Sequence, residues 1–393
     1  MVTGTREKKT GRIRLGMVGG GQGAFIGAVH RLAARMDDEY EFVAGALSAD
    51  PKKAAASAGD LGLDPSRSYG SFEEMAKAEA KRADGIEAVA IVTPNHVHVP
   101  AAKAFINAGI HVICDKPLAL SLKEAKSLEA LLAKRKDVIF ALTHNYTGYP
   151  MIRQAKAMVA AGELGDIRLV QGEYPQDWLT TALEKTGQKQ AAWRTDPKRS
   201  GAGGCVGDIG THTYQLMCDV SGLAGAELAA DLTSFVKGRA LDDNANVMLR
   251  FKAKDGTSAK GMLWASQVAP GNENGLKIRV YGTKGGLEWS QENPNLLWYT
   301  PFGEPKRLIT RGGAGSGPAA GRVTRVPPGH PEGYLEGFAN LYTEVARAIK
   351  AARAGKKADK DVTFPGIADG IAGMAFIEAC VKSSKANGRW TKL

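Results

Sequence analysis

Short, almost uninterrupted apolar runs alternate with helix-like stretches over residues 1–145. Ile13–Val18 is the first run; glycines follow it, and a helical stretch then reaches about Met36. Further runs lie at Tyr40–Leu47, Gly85–Thr93, His111–Cys114 and Val138–Thr143. The segment Ile86-Glu87-Ala88-Val89-Ala90-Ile91-Val92 is apolar nearly throughout instead of alternating. That fits a strand buried on both faces, as in a parallel sheet covered by helices. Ser71 with Glu74, and Ser121 with Glu124, read as capping boxes that open helices. Strand and helix in repetition predict a doubly wound, parallel α/β sheet for residues 1–145.

Over residues 146–393 the pattern changes. A helix is expected at about Tyr149–Ala161, an extended run at Asp166–Tyr174 and a helix around Gly210–Val220. Strands then come without helices between them: Ala226–Val236, Asn244–Phe251, Thr257–Val268, Gly275–Tyr281, Gly285–Trp289 and Asn295–Thr300. Leu276, Ile278 and Val280 alternate with Lys277, Arg279 and Tyr281, the period of a strand with one buried face. Short turns between successive strands predict a large, mainly antiparallel sheet in a C-terminal α+β domain. Arg311–Gly333, rich in Gly and Pro, reads as a long loop of the kind that is either a functional lid or disordered. Helices at about Tyr334–Ala354 and Pro365–Asn387 follow. The strands outnumber the helices available to cover them. One sheet face is therefore expected to be buried by another copy, in a homodimer or homotetramer.

Composition narrows the class. The chain has 393 residues, 44% of them hydrophobic and 24% charged, which suits two globular domains and excludes wholesale disorder. No apolar run approaches the roughly 18 residues of a membrane span. Met1–Thr10 is polar and basic without an apolar stretch after it, unlike a secretory leader. Cys114, Cys205, Cys218 and Cys380 show neither paired nor metal-binding spacing, and read as reduced thiols of a cytoplasmic protein without a metal site. The net charge of +11 would suit nucleic acid, but Lys and Arg are spread along the chain and no nucleic-acid motif accompanies them. The charge reads as solvated surface with some attraction for an anionic cofactor.

Gly19-Gly20-Gly21-Gln22-Gly23-Ala24 stands between the first strand and the first helix. In that position a glycine-rich turn reads as the dinucleotide site of a Rossmann domain. The backbone can approach a pyrophosphate, and the helix N-terminus offers free N–H groups. Gly19, Gly21, Gln22, Gly23 and Ala24 are the candidate contacts. The match in register ends at Ala24, while Ile26–His30 also reads as a helix start, leaving Gly27 as an alternative third glycine. An acidic residue would be expected after the second strand to bind the ribose of NAD; Ser48 stands there, with Lys52 and Lys53 nearby. Both NAD and NADP stay open.

Thr93-Pro94-Asn95-His96, Asp115-Lys116-Pro117 and Gly204-Cys205-Val206-Gly207-Asp208-Ile209-Gly210-Thr211-His212, in this order and spacing, resemble the Gfo/Idh/MocA family of sugar and inositol dehydrogenases. The resemblance covers nearly the whole chain. It implies NAD(P)-dependent oxidation of a secondary hydroxyl of a sugar, glycoside or inositol, with Lys116, Asp208 and His212 as the catalytic set. It also implies cofactor contacts from Thr93, Pro94, Asn95, His98, Asp115 and Lys116, and a cis peptide before Pro117. The family's Glu is Asp115 here, one methylene shorter. The chemistry suits these residue types independently. A histidine accepts the alcohol proton near neutral pH, and a lysine ammonium favours the developing alkoxide. Asp208 and His212, four apart on an expected helix, would share a face; Asp208 would orient the imidazole or bind a second hydroxyl. Taken alone, Asp208 reads as a helix cap and His212 as a satisfied helix histidine; the family pattern reverses that.

The resemblance further implies substrate contacts at Asn145, Tyr146, Gln176, Asp177, Trp178, Trp193 and Arg194. Amides, carboxylate and guanidinium suit a ring of hydroxyls, and indole faces suit sugar C–H faces. Trp178 and Trp193 read equally well as domain-junction packing. Thr147 replaces the Arg that many relatives carry after the Asn-Tyr pair, which points to an uncharged cyclic polyol. Two other readings share these motifs: a glycosidase of the same fold that keeps NAD bound, and a non-catalytic NAD(P) sensor. The intact Lys116, Asp208 and His212 argue against the sensor.

Overall fold

The computed structural model describes residues 11–252 and 258–393. The expected polar start Met1–Thr10 and the expected strand residue Thr257 lie outside them. The first lobe is a five-stranded sheet of β1 (Ile13–Gly19), β2 (Tyr40–Ala46), β3 (Ala88–Val92), β4 (His111–Cys114) and β5 (Phe140–Leu142), in the order β2-β1-β3-β4-β5. All its pairings are parallel. Every residue of β3 is buried, as its unbroken apolar run requires. Each fully buried Val or Ile there contributes about 1.5–3 kcal/mol. Strand order reverses between β1 and β3, which opens a crevice beyond their C-terminal ends.

The two capping serines behave as expected on one side only. Ser71 Oγ accepts from Glu74 N at 3.1 Å and Ser121 Oγ from Glu124 N at 3.2 Å. The glutamates reach one residue further back than a capping box does, to Gly70 N and Leu120 N. The helices start where the serines say.

The second sheet has nine strands: β6 (Ile167–Pro175), β7 (Ala224–Thr233), β8 (Asn244–Lys252), β9 (Ser258–Ser266), β10 (Lys277–Gly282), β11 (Gly285–Ser290), β12 (Leu296–Pro301), β13 (Arg307–Thr310) and β14 (Thr391–Lys392). Their order is β13-β12-β11-β10-β6-β9-β8-β7-β14. The sheet is antiparallel except where β6 inserts beside β9 in parallel. That exception follows from chain order: helices separate β6 from the later strands, so no hairpin dictates its direction. The short edge strands β13 and β14 carry no readable alternation. Helices Pro150–Ala160, Thr211–Ser221 and Ile367–Lys385 cover one face. On the other, Leu169, Met248, Met262 and Tyr281 are exposed among cross-strand ion pairs such as Lys277–Glu173.

The chain then returns to the first lobe. Helix Tyr334–Arg353 packs on helix Phe25–Met36, placing Phe338, Tyr342, Val345 and Ile349 against Ile13, Leu15 and Met17 of β1. Tyr40 donates to Tyr342 O at 2.9 Å, and Arg325 pairs with Asp37. Segment 311–333 is neither a lid nor a loose loop. Arg311 is buried, pairs with Glu332 at 3.1 Å and donates to Asn295 Oδ1 at 2.7 Å, and a short helix spans Pro318–Gly321. Its glycines and prolines shape a packed connection instead.

Candidate active site

A cavity of about 980 Å³ lies between the crevice of the first sheet and the helix-covered side of the second. At one end is the glycine turn. Gly19 and Gly20 take φ of +78° and +74°, a conformation that side chains disfavour. A Cβ on Gly27 would sit 2.4 Å from Gly20 Cα. Gly27 therefore fills the third-glycine position, packing the helix against the turn. Gly23 has φ of +73° and open space around it; it turns the chain and does not line the cavity. Helix Phe25–Met36 has no side-chain cap at Ala24 and no acidic residue in its first turn. Its first N–H groups are thus left for an anion. Gln22 lines the cavity but ties its amide to Asp60 at 2.8 Å.

Ser48 also lines the cavity, its Oγ accepting from Asp50 N at 3.1 Å. The Asp50 carboxylate is engaged as a helix cap on Lys52 N and Lys53 N. Lys53 lines the cavity and Lys52 does not. Lys189 and Arg199, which sequence reading missed, join Lys53 along the cavity from the other lobe.

Thr93, Pro94 and Asn95 line the middle of the cavity, and His96 does so as well. His98 does not. It is buried, with ring nitrogens 2.8 Å from Pro117 O and 2.9 Å from Thr93 O. It braces the turn that carries Lys116 and does not line the cavity. Thr93 Oγ1 and Asn95 Oδ1 are buried without partners in residues that line the cavity. Free helix N–H groups, an extended cavity and orphaned polar atoms in its middle together fit a dinucleotide.

The Lys116–Pro117 peptide is cis, as expected. Asp115 folds back on its own turn, accepting from Lys116 N at 2.9 Å and Thr143 Oγ1 at 2.8 Å. Lys116 Nζ donates to Asp208 O at 2.5 Å and approaches Asp208 Oδ1 at 3.3 Å. Asp208 Oδ2 accepts from Arg194 Nε at 3.2 Å and Gln267 Nε2 at 2.8 Å. Burial alone would push the Asp208 carboxyl up, but Arg194, Lys116 and these hydrogen bonds outweigh it and lower it to about 2. Asp208 sits in a π-helical turn, Val206–Gly210, ahead of helix Thr211–Ser221, not on a regular helix shared with His212. Both side chains line the cavity, yet no hydrogen bond joins them. Of the two roles expected for Asp208, orienting the imidazole has no hydrogen bond behind it here; the carboxylate holds Lys116 and Arg194.

His212 is buried, its Nδ1 has no partner, and its ring lies 5.5 Å from His144 and 4.9 Å from Tyr146. Burial first, then Lys116 and His144, hold it well below the ordinary imidazole value. Burial thus favours its neutral form. Asn145, Tyr146, Gln176, Trp178, Trp193 and Arg194 line the same end, with the Arg194 guanidinium 4.3 Å over the Trp193 ring. Asn145 Nδ2 is unpartnered and buried. Asp177 points elsewhere, accepting from Gly271 N at 3.3 Å, because the chain after β6 turns its side chain out of the cavity. Tyr174, Asn274 and Gln291 complete this wall; the two amides stand in loops whose local sequence carries no signal. Among the described residues no group of three or more His, Cys, Asp or Glu could hold a metal ion.

Two family models match the chain. One describes an oxidoreductase family with an NAD-binding Rossmann fold and covers residues 13–156; the other describes the Gfo/Idh/MocA C-terminal domain and covers residues 152–288. An oxidoreductase from Sinorhizobium meliloti is 62% identical, with a TM-score of 0.88, over 98% of this chain and 100% of that one. The chain belongs to the Gfo/Idh/MocA family of oxidoreductases. Its first lobe is the NAD-binding Rossmann domain of that family. Another member, an inositol dehydrogenase homolog from Azotobacter vinelandii solved with NADH and myo-inositol, is 36% identical over 97% of this chain and 98% of that one, with a TM-score of 0.88. A levoglucosan dehydrogenase from Pseudarthrobacter phenanthrenivorans is 29% identical over 72% of this chain and 75% of its own.

Proposed function

We propose that the protein is an NAD(P)-dependent dehydrogenase that oxidises one secondary hydroxyl of an uncharged cyclic polyol: a sugar, a glycoside or an inositol. The observation that carries this reading is the convergence of Lys116 Nζ, anchored at 2.5 Å on Asp208 O, with the unpartnered neutral ring of His212 on one cavity wall. Relatives named for inositol and levoglucosan support the substrate class.

NAD, when bound, would supply the hydride-accepting chemistry. The chain's own groups manage the oxygen. Lys116 donates to the reacting hydroxyl and favours its negative charge. His212, kept neutral by burial, takes the proton. Asp208, ionised and held by Arg194 and Gln267, fixes the lysine in reach. The side chains of Asn145 and Arg194, residues that line the cavity, suit neighbouring hydroxyls. The test is a panel of inositols, aldoses and glycosides followed at the absorbance of reduced nucleotide. Cleavage of a glycoside without net nucleotide reduction would replace this reading with the glycosidase.

The open sheet face supports a homodimer or homotetramer. Leu169, Met248, Met262 and Tyr281 form an apolar patch with mixed charges around it, suited to a second copy of the same face. Met262→Lys together with Met248→Glu is expected to reduce the mass seen by light scattering to that of one chain. A wild-type monomer at micromolar concentration would contradict it.

A further inference from the structure

The substrate wall holds a continuous chain of hydrogen bonds. Trp178 Nε1 donates to Gln176 Oε1 at 3.1 Å. Gln176 Nε2 donates to Asn274 Oδ1 at 2.9 Å, and Tyr174 OH donates to the same oxygen at 2.7 Å. Asn274 Nδ2 donates to Gln291 Oε1 at 2.9 Å, and Gln291 Nε2 donates to Tyr149 OH at 3.3 Å. The Tyr146 and Tyr174 hydroxyls lie 2.6 Å apart.

Amides and hydroxyls can usually run such a chain in either direction. Here one member cannot. An indole N–H only donates. Trp178 therefore requires the oxygen of Gln176, which turns the Gln176 NH₂ toward Asn274. That requires the oxygen of Asn274 at the junction and sends its NH₂ to Gln291. The Tyr174 hydroxyl, facing an acceptor that has no proton to offer, must donate. Its own oxygen is then left to accept, so the proton between the tyrosines comes from Tyr146. Reversing any link would set two donors or two acceptors face to face in a network that is part-buried along its amides and buried at the tyrosine pair.

We infer that Trp178, through Gln176, Asn274 and Tyr174, fixes Tyr146 as an acceptor-only group toward the cavity. Tyr146 lines that cavity with its ring 4.9 Å from His212, so the group it meets belongs to the ligand near the reacting carbon. That ligand group must carry a proton: a hydroxyl fits, and a ketone, carboxylate, ether oxygen or fluorine does not. Trp178 is a positioning residue in this scheme, not a catalytic one. The inference rests on the dehydrogenase reading only for its substrate arm; the hydrogen-bond polarity belongs to the protein alone.

The deciding experiment is neutron diffraction from deuterium-exchanged crystals of the full chain with NAD. The expected map places the Tyr146 deuteron toward Tyr174, the Tyr174 deuteron toward Asn274, and the Asn274 amide deuterons toward Gln291. A Tyr146 deuteron directed into the cavity, or an Asn274 oxygen facing Gln291, would overturn the inference whatever the substrate proves to be. A second arm uses myo-inositol and its monodeoxy and monofluoro-deoxy analogues. At one ring position, replacing hydroxyl by fluorine is expected to lower kcat/KM by about 10- to 100-fold, no better than hydrogen there. In Trp178→Phe, which frees Gln176 to turn over, the hydroxyl-to-fluorine ratio at that position should narrow several-fold. An unchanged ratio in the variant would remove Trp178 from its role. Absence of any oxidation would count against the proposed activity and leave the neutron result to decide the polarity.

Discussion

On the nucleotide side of the cleft, the chemistry is presented by backbone. Glycines at +78° and +74°, a helix with an uncapped first turn and Gly27 pressed on Gly20 leave N–H groups facing the ligand. At the substrate end it is presented by side chains that hold one another across the cleft: Lys116 of the first lobe on Asp208, Asp208 on Arg194 and Gln267, and Tyr174 on Asn274. The first surface needs few particular side chains and binds what any dinucleotide shares. The second is a set of mutual dependencies and, on the proposed reading, selects substrate and chemistry. Changes on one side should leave the other largely intact.

The sharpest way to break that separation is to remove the reacting groups. Lys116→Ala and His212→Ala should each lower kcat by about 10²-fold or more. NAD affinity by titration calorimetry should stay within a few-fold of wild type. Near-normal turnover in either variant would defeat the assignment of the facing wall. The converse change is Gly27→Val. With a Cβ already 2.4 Å from Gly20 Cα, the branched side chain must push the glycine turn aside and weaken NAD binding by roughly 10-fold or more. Unaltered affinity would show that the turn does not grip the cofactor.

The local side of this contrast was readable from sequence, and the distant side was not. Gly20 with Gly27, and Ser71 with Glu74, act within a few residues of themselves, so spacing carries their meaning; Lys116-Pro117, whose lysine reaches Asp208, was legible only through the family pattern. Asn274 and Gln291 meet Tyr174 and Tyr149 only because β6 inserts between β9 and β10, a pairing that no local pattern announces. Asp208 looked like a neighbour of His212 on a regular helix, but the π-helical turn and the approach of Lys116 gave it another task. His98 looked like a ligand contact through its motif, and tertiary packing made it a brace. Segment 311–333 looked loose by composition, and buried Arg311 pins it.

Titration separates the two sides next. His212 lies well below 6.5, so the acid limb of kcat/KM should fall below that pH, and an inflection at or above it would contradict a buried neutral base. Stability should show a wider effect. Burial lowers His30 and His144 from 6.5 to about 4, so the folded state resists protons that the unfolded chain binds. Their contribution is fully present above about pH 6.5 and is lost as pH falls toward 4. Asp208, lowered to about 2, acts in a separate and more acidic window: it stabilises above the ordinary carboxylate range and ceases to as pH falls through about 2. Thermal melts from pH 7 to pH 4 should show a falling Tm, and His144→Asn should flatten part of that slope.

The smallest expected effect lies at the adenosine end. Ser48 itself brings no carboxylate against a 2′-phosphate, and Lys53 as well as Glu73 lines the cavity, so wild-type kcat/KM for NAD and NADP should differ only weakly. Ser48→Asp should shift the ratio toward NAD by roughly 5- to 10-fold, an effect that shrinks with added salt. If the wild type already excludes NADP strongly and the variant changes nothing, Ser48 does not face the ribose.

The most direct measurement is product analysis on the substrate panel, with reduced nucleotide and sugar product quantified in the same sample. A dehydrogenase should release one equivalent of reduced nucleotide for each equivalent of ketone formed from a neutral cyclic polyol, and lose both together in Lys116→Ala. Reduced nucleotide from no polyol on the panel, or a cleaved glycoside with none released, would contradict it.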